Sequence, residues 1–392
     1  MGVSAAEQAV LDRIDEATLV DLTAELVRAT GENPPGGEAA TVKVLHMAAV
    51  ELGLDVVETA VEPDRNNLHI TLQGGAGPGV LLLGHTDVVP VGEGWTMDPF
   101  GGTVHDGRMY GRGTSDMKGG LAASLAALAA LRGVGLSGPV ELAALMDEEE
   151  TGKGIRAYVD STQPPFLGCI TAEPTDMQTI IGARGASYTR IEVHGRACHA
   201  GNPADGANAI YGAAAVVAEI ERMHAELAQR PHPLLGPATW SVGQIHGGAG
   251  GSIVPAECVV VADRRLLPGE SPESVLDDLR ARVEGLRLAD RGLTVDVAMP
   301  MEMPAFQTPA DSELAQTVDA ALADVGGPRL PPGGWTGACD GGFVARDLGI
   351  PVVVLGPGSA TSQAHRADES VAIEELIVAA RAYALTALRL LG

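Results

Sequence analysis

The alternation of apolar and polar positions predicts helices and strands that follow one another along the chain. Apolar residues recur at helical spacing in residues 7–28 and 38–52, and strand-like runs follow at 54–59, 68–72 and 80–83. Strands that alternate with helices build a sheet covered by helices. We therefore expect a layered α/β domain.

A different pattern occupies residues 183–300. The predicted order there is strand, helix, strand, strand, helix, strand, which is typical of a small ferredoxin-like α+β sandwich. The α/β pattern resumes after it. We therefore expect a main domain formed by residues 1–182 and 301–392, with the α+β domain inserted between its two parts.

Side chains that bind metals follow several predicted strands directly. His85 and Asp87 follow one apolar strand, Glu148 and Glu149 follow the next, and Glu173 ends a third. In open α/β sheets, ligand sites lie at the carboxyl ends of the strands. These side chains are therefore expected to lie close together at one edge of the sheet.

Asp116 and His365 are two further candidates. Asp116 precedes a predicted helix and taken alone is better interpreted as an N-cap, and a lone histidine after a strand is more often structural. The combination favours a metal site instead, with the candidate ligands His85, Asp116, Glu149, Glu173 and His365. A catalytic zinc takes three protein ligands, so five ligands suit two ions that share one carboxylate. Glu148, beside a ligand, is then placed to act as a general base.

Composition excludes several classes of partner. The chain has 26 Lys and Arg against 51 Asp and Glu, a net charge of −25, which is unsuited to binding nucleic acid phosphates. The four cysteines are far apart and form no Cys-x-x-Cys pair, as expected in a reducing compartment. No signal peptide is evident, and the longest apolar tract, residues 121–131, is too short to cross a membrane. These features predict a cytoplasmic protein with neither a nucleic acid nor a membrane partner.

Five motifs carry a family resemblance in their order and spacing. They are His85-Thr-Asp87, Ser115-Asp116-Met-Lys-Gly-Gly, Asp147-Glu148-Glu149, Ala172-Glu173-Pro174 and His365. Together they resemble the M20 metallopeptidases, the group of acetylornithine deacetylase, succinyl-diaminopimelate desuccinylase, aminoacylase-1 and carboxypeptidase G2. The resemblance implies a zinc-peptidase-like catalytic domain with an inserted lid and dimerisation domain.

The resemblance also implies roles for the candidate ligands. One zinc would be bound by His85, Asp116 and Glu173, and a second zinc by Asp116, Glu149 and His365. Asp87 would orient His85, Glu148 would be the general base, and the Asp116–Met117 peptide would be cis. Cobalt or manganese would suit the same ligands.

In the inserted domain, the resemblance gives His199 the task of stabilising the tetrahedral oxyanion in a partner subunit. Arg265 or Arg264 would bind a substrate carboxylate, since only one of two successive strand residues can face the site. Further candidate substrate contacts are Asn208, Ser252 and Gly358. Ser252 stands where the family usually has asparagine, so the substrate contact at this position is expected to differ.

These implications predict a homodimeric two-zinc hydrolase that cleaves the amide bond of an N-acyl amino acid. The alternative within the family is a carboxypeptidase or dipeptidase acting on small peptides with a free carboxylate. A binding protein that has lost its chemistry is a more remote alternative, because it would lack a ligand or the base, and all of them are in place.

Overall fold

The structure, a computed structural model, describes residues 2–161 and 165–392. The chain divides into two compact units. Unit 1 comprises Met1–Gly182, Gln307–Gly334 and Cys339–Gly392, and unit 2 comprises Ala183–Phe306 and Trp335–Ala338. Met1 and residues 162–164, which belong to the expected main domain, lie outside the described residues. Within the part of the chain that is described, no helix is long and apolar enough to cross a membrane.

The helices and strands are numbered in chain order. The helices are α1 (Ala5–Leu11), α2 (Glu16–Arg28), α3 (Ala39–Glu51), α4 (Gly119–Leu131), α5 (Lys153–Ser161), α6 (Ala209–Leu227), α7 (Pro272–Gly285), α8 (Glu313–Asp324), α9 (Gly341–Phe343) and α10 (Ile373–Leu391). The strands are β1 (Asp55–Glu62), β2 (Arg65–Leu72), β3 (Gly79–His85), β4 (Thr103–His105), β5 (Arg108–Tyr110), β6 (Val140–Leu145), β7 (Phe166–Thr171), β8 (Ile180–Ala183), β9 (Gly185–His194), β10 (Cys198–His199), β11 (Thr239–Gly247), β12 (Ile253–Val254), β13 (Glu257–Leu266), β14 (Thr294–Met303), β15 (Phe306–Gln307), β16 (Gly333–Trp335), β17 (Val352–Val354) and β18 (Ser370–Ala372).

A mixed sheet forms the centre of unit 1, which confirms the α/β prediction. Its strands follow the order β1-β2-β6-β3-β7-β17-β8, and β3 runs parallel to both β6 and β7. Every residue of β3 is buried, as expected of a strand covered on both faces. Because β3, β6 and β7 run the same way, the loops that follow them leave the sheet at the same edge.

The first helical run differs from its prediction as a single helix. It forms α1 and α2, because Asp15 begins a new helix by accepting a hydrogen bond from the backbone N–H of Thr18 at 2.8 Å. Helix α4 contains the longest apolar tract, residues 121–131, and its Gly, Ala and Leu residues let it lie almost completely buried against α10.

Unit 2 is built around an antiparallel sheet with the strand order β11-β13-β9-β14. Its elements follow one another as β9, α6, β11, β13, α7 and β14, in the order predicted from the sequence. Alternate residues of β13 are buried in a core shared with α6 and α7. Strand β14 extends to Met303, three residues beyond the expected end of the insertion at residue 300.

Candidate metal centre

The parallel strands of unit 1 deliver four acidic or imidazole side chains to one edge of the sheet. His85 is the last residue of β3, Glu148 and Glu149 follow β6, and Glu173 follows β7. The ladders pair β3 with both of its neighbours as far as Leu83 or His85. The three segments that follow these strands therefore start side by side.

Asp116 lies between the two candidate histidines. Its Oδ1 is 3.2 Å from Nε2 of His85, and its Oδ2 is 3.3 Å from Nε2 of His365. Glu173 lies on the His85 side, with Oε1 3.6 Å from the same Nε2, and Glu149 lies on the His365 side, with Oε2 3.2 Å from Nε2. The structure thus brings all five predicted ligands together, with one carboxylate shared between two groups.

The donor set fits divalent metal ions. The ligand atoms of His85, Asp116 and Glu149 all lie within 4.8 Å of one another, and so do those of His85, Glu148 and Glu173. Oε1 of Glu149 is buried and has no hydrogen-bond partner among the described residues, which is consistent with a metal-ligand atom. Imidazole nitrogens and carboxylate oxygens suit zinc and related borderline ions.

The charges of these groups are strongly coupled. Burial and the nearby charge of Asp116 raise the pKa of both Glu149 and Glu173. Burial acts in the same direction on Asp116, but hydrogen bonds from His365 and His85 outweigh it and lower the pKa of this carboxyl. Hydrogen bonds to Asp116 and Glu149 raise the pKa of His365 to about 10. His365 therefore holds its proton more tightly than a free imidazole does.

Asp116 lies in a kinked segment, Thr114–Lys118, in which the backbone angles of Asp116 (φ −122°, ψ 95°) and Met117 (φ −132°, ψ 32°) are not helical. The Asp116–Met117 peptide is cis, as the resemblance implied. The backbone N–H groups of Ser115 and Asp116 both donate to Oε1 of Glu369, at 2.9 and 3.0 Å. The N-cap reading of Asp116 does not apply, because its side chain faces the two histidines.

Asp87 organises the turn after β6 more than it contacts the ring of His85. Its carboxylate accepts the backbone N–H groups of Glu148 at 3.2 Å and Glu149 at 3.1 Å, and the side-chain amide of Asn33 at 2.9 Å. Nδ1 of His85 is 2.9 Å from the carbonyl oxygen of Asp87 but 3.5 Å from its carboxylate. Asp87 therefore orients His85 mainly through the main chain.

A polar network below the site was not predicted as functional. Asp147 has a φ of 69° and accepts hydrogen bonds from Asn33 and Arg65, both at 3.0 Å. Arg65 also pairs with the fully buried Glu38. The signal available in the sequence was the run from Asn33 to Glu38. Asn33 at its start donates to Asp87 and Asp147, and Glu38 at its end accepts from Arg65.

Two more acids lie near the predicted ligands. Burial raises the pKa of Glu148, and neighbouring Glu173 and Glu149 act in the same direction. Asp340 is 2% exposed, and in the described part of the chain neither of its carboxylate oxygens has a hydrogen-bond partner. Burial raises the pKa of Asp340 to about 8.

A model of peptidase family M20/M25/M40 matches residues 81–389 of the chain. The chain belongs to this family. It is similar in fold to a tripeptidase from Staphylococcus aureus subsp. aureus Mu50, at 22% identity over 95% of this chain and 98% of that chain, with a TM-score of 0.76. A metallo-carboxypeptidase of the M20 family from Sulfolobus solfataricus matches at 20% identity over 94% and 98%, with a TM-score of 0.77. A Bacillus subtilis protein described as a dinuclear metal binding peptidase from the M20 family matches at 16% identity over 96% and 98%, with a TM-score of 0.73.

Membership of the M20 family makes the protein a metal-dependent hydrolase that acts on amide bonds. The resemblance read from the five motifs is thereby confirmed. Family members bind a dinuclear metal site, and the clustered ligands of this M20 chain give it a matching set of donors. The identity of the ions is a separate question.

Two predicted residues of unit 2 lie at exposed positions of this M20 chain. His199 is in β10, where its Nδ1 accepts the backbone N–H of Gly201 at 3.0 Å. Ser252 precedes β12, and its carbonyl oxygen accepts the N–H of Ala200 at 2.9 Å. In a neutral imidazole an accepting Nδ1 leaves the proton on Nε2. His199 is therefore able to donate a hydrogen bond from its free edge.

The two adjacent arginines of β13 face opposite sides of the sheet. Arg264 is 2% exposed on the side covered by helices, where it stacks on Trp240 and donates to Glu270 at 2.6 Å. Arg265 is partly exposed on the other side and donates to Asp263 at 3.0 Å. Arg264 is thus engaged in the core of unit 2, and Arg265 is the better candidate for a substrate contact.

Asn208 and Gly358 have clear local roles. Asn208 caps α6 by accepting the N–H groups of Ile210 and Tyr211. Gly358 is buried in unit 1 with a φ of 88°, and a Cβ there would lie 2.0 Å from Oγ of Ser115. The geometry of Gly358 fits a backbone that must approach the Asp116 turn closely, since glycine alone leaves room for it.

Proposed function

We propose that the protein is a two-zinc hydrolase that cleaves the amide bond of an N-acyl amino acid. The observation that carries this proposal is the position of Asp116, which directs one carboxylate oxygen to each candidate histidine. His85 and Glu173 would complete one site, and Glu149 and His365 the other. Cobalt or manganese would substitute for zinc.

The protein's own residues would divide the work around the metal pair. Bound divalent ions supply Lewis acidity and lower the pKa of water. Glu148 has a carboxylate oxygen within 4.8 Å of the ligand atoms of His85 and Glu173, and it would accept a proton from the attacking water and return it to the leaving amine. Asp87 would hold the Glu148 turn in place through its hydrogen bonds to the backbone.

Unit 2 would bind the substrate and complete the oxyanion site as a lid. Arg265 would pair with the substrate carboxylate, because its guanidinium is partly exposed and the fork geometry suits a carboxylate. His199 would donate from Nε2 to the developing oxyanion of a partner subunit. Asn208, Ser252 and Gly358 stay candidates for substrate contacts, and Arg264 becomes a poorer one because Glu270 already holds it.

A homodimer through unit 2 belongs to the same proposal. Strand β11 lies at an edge of its sheet, and Ile245 of this strand is 49% exposed. Tyr211 in α6 and Ile253 in β12 are 64% and 46% exposed, so apolar surface is available for a partner. A catalytically competent monomer in sedimentation would contradict the role given to His199. The cytoplasmic location stays a prediction from the sequence.

A peptidase acting on small peptides with a free carboxylate is the second candidate. It is favoured by the names of the structural neighbours, which include a tripeptidase, a carboxypeptidase and a human carnosine dipeptidase. Amine release by the zinc-loaded enzyme should be measured with N-acetyl and N-succinyl amino acids and, in parallel, with unblocked dipeptides. Preference for the acylated set supports the first candidate, preference for dipeptides supports the second, and inactivity on both sets opposes both.

A further inference from the structure

Glu369 joins two segments that carry candidate metal ligands. It lies four residues after His365, is fully buried, and receives two successive backbone N–H groups from the turn that carries Asp116. Both N–H groups, from Ser115 and Asp116, reach the same oxygen, Oε1. Neither Glu369 nor its hydrogen bonds belong to the predicted ligand set.

Arg112 fixes the other side of this carboxylate. Its Nη1 donates to Oε2 of Glu369 at 2.6 Å and also reaches the carbonyl oxygen of Arg366 at 3.2 Å. The guanidinium is 2% exposed and lies over the ring of Trp95. Arg112 therefore contacts the loop of His365 at two points: the Glu369 carboxylate and the carbonyl group of Arg366, which directly follows the histidine.

We propose that Glu369 is a positioning residue that sets the distance between Asp116 and His365. This inference rests on the two-metal site proposed above. The Glu149 and His365 site has three candidate ligands, and two of them, Asp116 and His365, lie on the segments that Glu369 connects. Of the ligands of the other site, only Asp116 lies on these segments. Glu369 therefore controls the affinity of the Glu149 and His365 site more than that of its neighbour.

A carboxylate of this length is needed for both contacts. Aspartate keeps the charge but is shorter by one methylene, about 1.5 Å, and cannot reach Arg112 and the two N–H groups together. Glutamine keeps the length, and its oxygen can still accept the two N–H groups, but its NH₂ group then faces the N–H groups of Arg112. Glu369→Asp therefore weakens the positioning contact, while Glu369→Gln mainly weakens the ion pair.

Unit 2 offers a matched control that has the same chemistry away from the metal ligands. Glu270 accepts Nη2 of Arg264 on one oxygen at 2.6 Å and the backbone N–H of Leu267 on the other at 2.7 Å. Arg264 is buried to a similar degree as Arg112. Glu270→Asp shortens this carboxylate in the same way and should lower thermal stability without changing metal binding.

The test is a zinc titration of the full chain in competition with a chromophoric chelator. For Glu369→Asp we expect one ion to bind with nearly wild-type affinity and the second to bind roughly 10 to 100 times more weakly, the range seen for residues that support metal ligands. Glu270→Asp should bind both ions as the wild type does. Wild-type affinities for both ions in Glu369→Asp would overturn the inference, as would equal weakening in Glu270→Asp.

A second comparison identifies the weakened site. Glu149→Ala removes a ligand of that site, so adding Glu369→Asp to it should change the remaining ion's affinity little. A loss in the double variant as large as in Glu369→Asp alone would refute the assignment. If Glu369→Asp does not fold, Glu369→Gln is tested in its place. We expect Glu369→Gln to bind both ions with near wild-type affinity and to have reduced thermal stability. Strong loss of the second ion would contradict the separate roles given to the positioning contact and the ion pair.

The outcome also separates this inference from the proposed function. If the wild type binds two ions and Glu369→Asp binds them equally well, only the positioning role fails. If the wild type binds fewer than two ions, the two-metal proposal fails and the positioning role fails with it.

Discussion

Replacing Asp87 with asparagine should disrupt the turn that carries the base and one metal ligand. Asp87 is fully buried, and its two oxygens serve three donors: the N–H groups of Glu148 and Glu149 and the side-chain amide of Asn33. In Asp87→Asn one oxygen becomes an NH₂ group. At least one buried donor then loses its acceptor, whichever way the new amide is turned.

The magnitude follows from this count. A buried donor left without an acceptor costs about 1–3 kcal/mol, and loss of the carboxylate charge weakens the hydrogen bonds that survive. We therefore expect Asp87→Asn to lower the free energy of unfolding by about 2–3 kcal/mol. Because Asp87 supports Glu149 and the main chain next to His85, metal affinity should fall roughly 10 to 100-fold.

Urea unfolding of metal-free protein isolates the stability effect, and a zinc titration then measures affinity. Asp15→Asn is the matched control, because Asp15 caps α2 at an exposed position and asparagine caps helices equally well. Its unfolding free energy should change by no more than about 0.5 kcal/mol. If Asp87→Asn unfolded at the wild-type urea concentration and bound zinc with wild-type affinity, the role given to Asp87 would be wrong.

Three further substitutions test separate parts of the site. Glu148→Gln should keep both metals, measured by metal analysis, but lose turnover about 10²–10⁴-fold, and retained turnover would exclude it as the base. Gly358→Ala would place a Cβ 2.0 Å from Oγ of Ser115, so it should cost about 1–3 kcal/mol more in urea unfolding than Gly349→Ala, which has a similar positive φ but open space. Asp340, with a pKa near 8 in the folded protein, keeps a proton there that the unfolded chain loses near pH 4. The stability that this bound proton contributes is therefore lost as the pH rises from about 4 to 8. Asp340→Asn should become more stable relative to metal-free wild type across that range. A difference in unfolding free energy that stays constant with pH would refute this.

Several candidate ligands could be located in the sequence because they directly follow a recognisable strand. Buried parallel strands are continuous apolar runs, and the residue after such a run is easily located, as with His85 and Glu173. The direction of the strands then brings the loops to one edge. Sequence and topology together were thus sufficient to bring the candidate ligands to one edge of the sheet, although not to give the distances between them.

The supporting contacts could not be predicted in the same way. Glu369 contacts the Asp116 turn across more than 250 positions, and Arg65 reaches Asp147 across 82. In the sequence, such residues look like ordinary surface charges, because nothing in their local pattern shows burial. The choice between Arg264 and Arg265 could not be predicted either. The alternation of side chains along a strand puts the two arginines on opposite faces of the sheet, but it does not show which face α6 and α7 cover.

The buried charges explain why this edge of the sheet suits divalent cations. Asp116, Glu149 and Glu173 are carboxylates within contact distance of only two imidazoles, and burial opposes the charged form of all three. In the metal-free protein, protons on the imidazoles offset part of this negative charge. Hydrogen bonds raise the pKa of His365 to about 10. Burial lowers the pKa of His85, but the nearby carboxylates, led by Glu173, together have the larger effect and raise it. Metal ligation requires neutral imidazoles and ionised carboxylates, so the binding of a divalent ion would displace protons from this cluster. The cluster is therefore suited to exchange protons for metal ions, and the hydrogen bonds to Glu369 and Asp87 hold the segments that carry the candidate ligands.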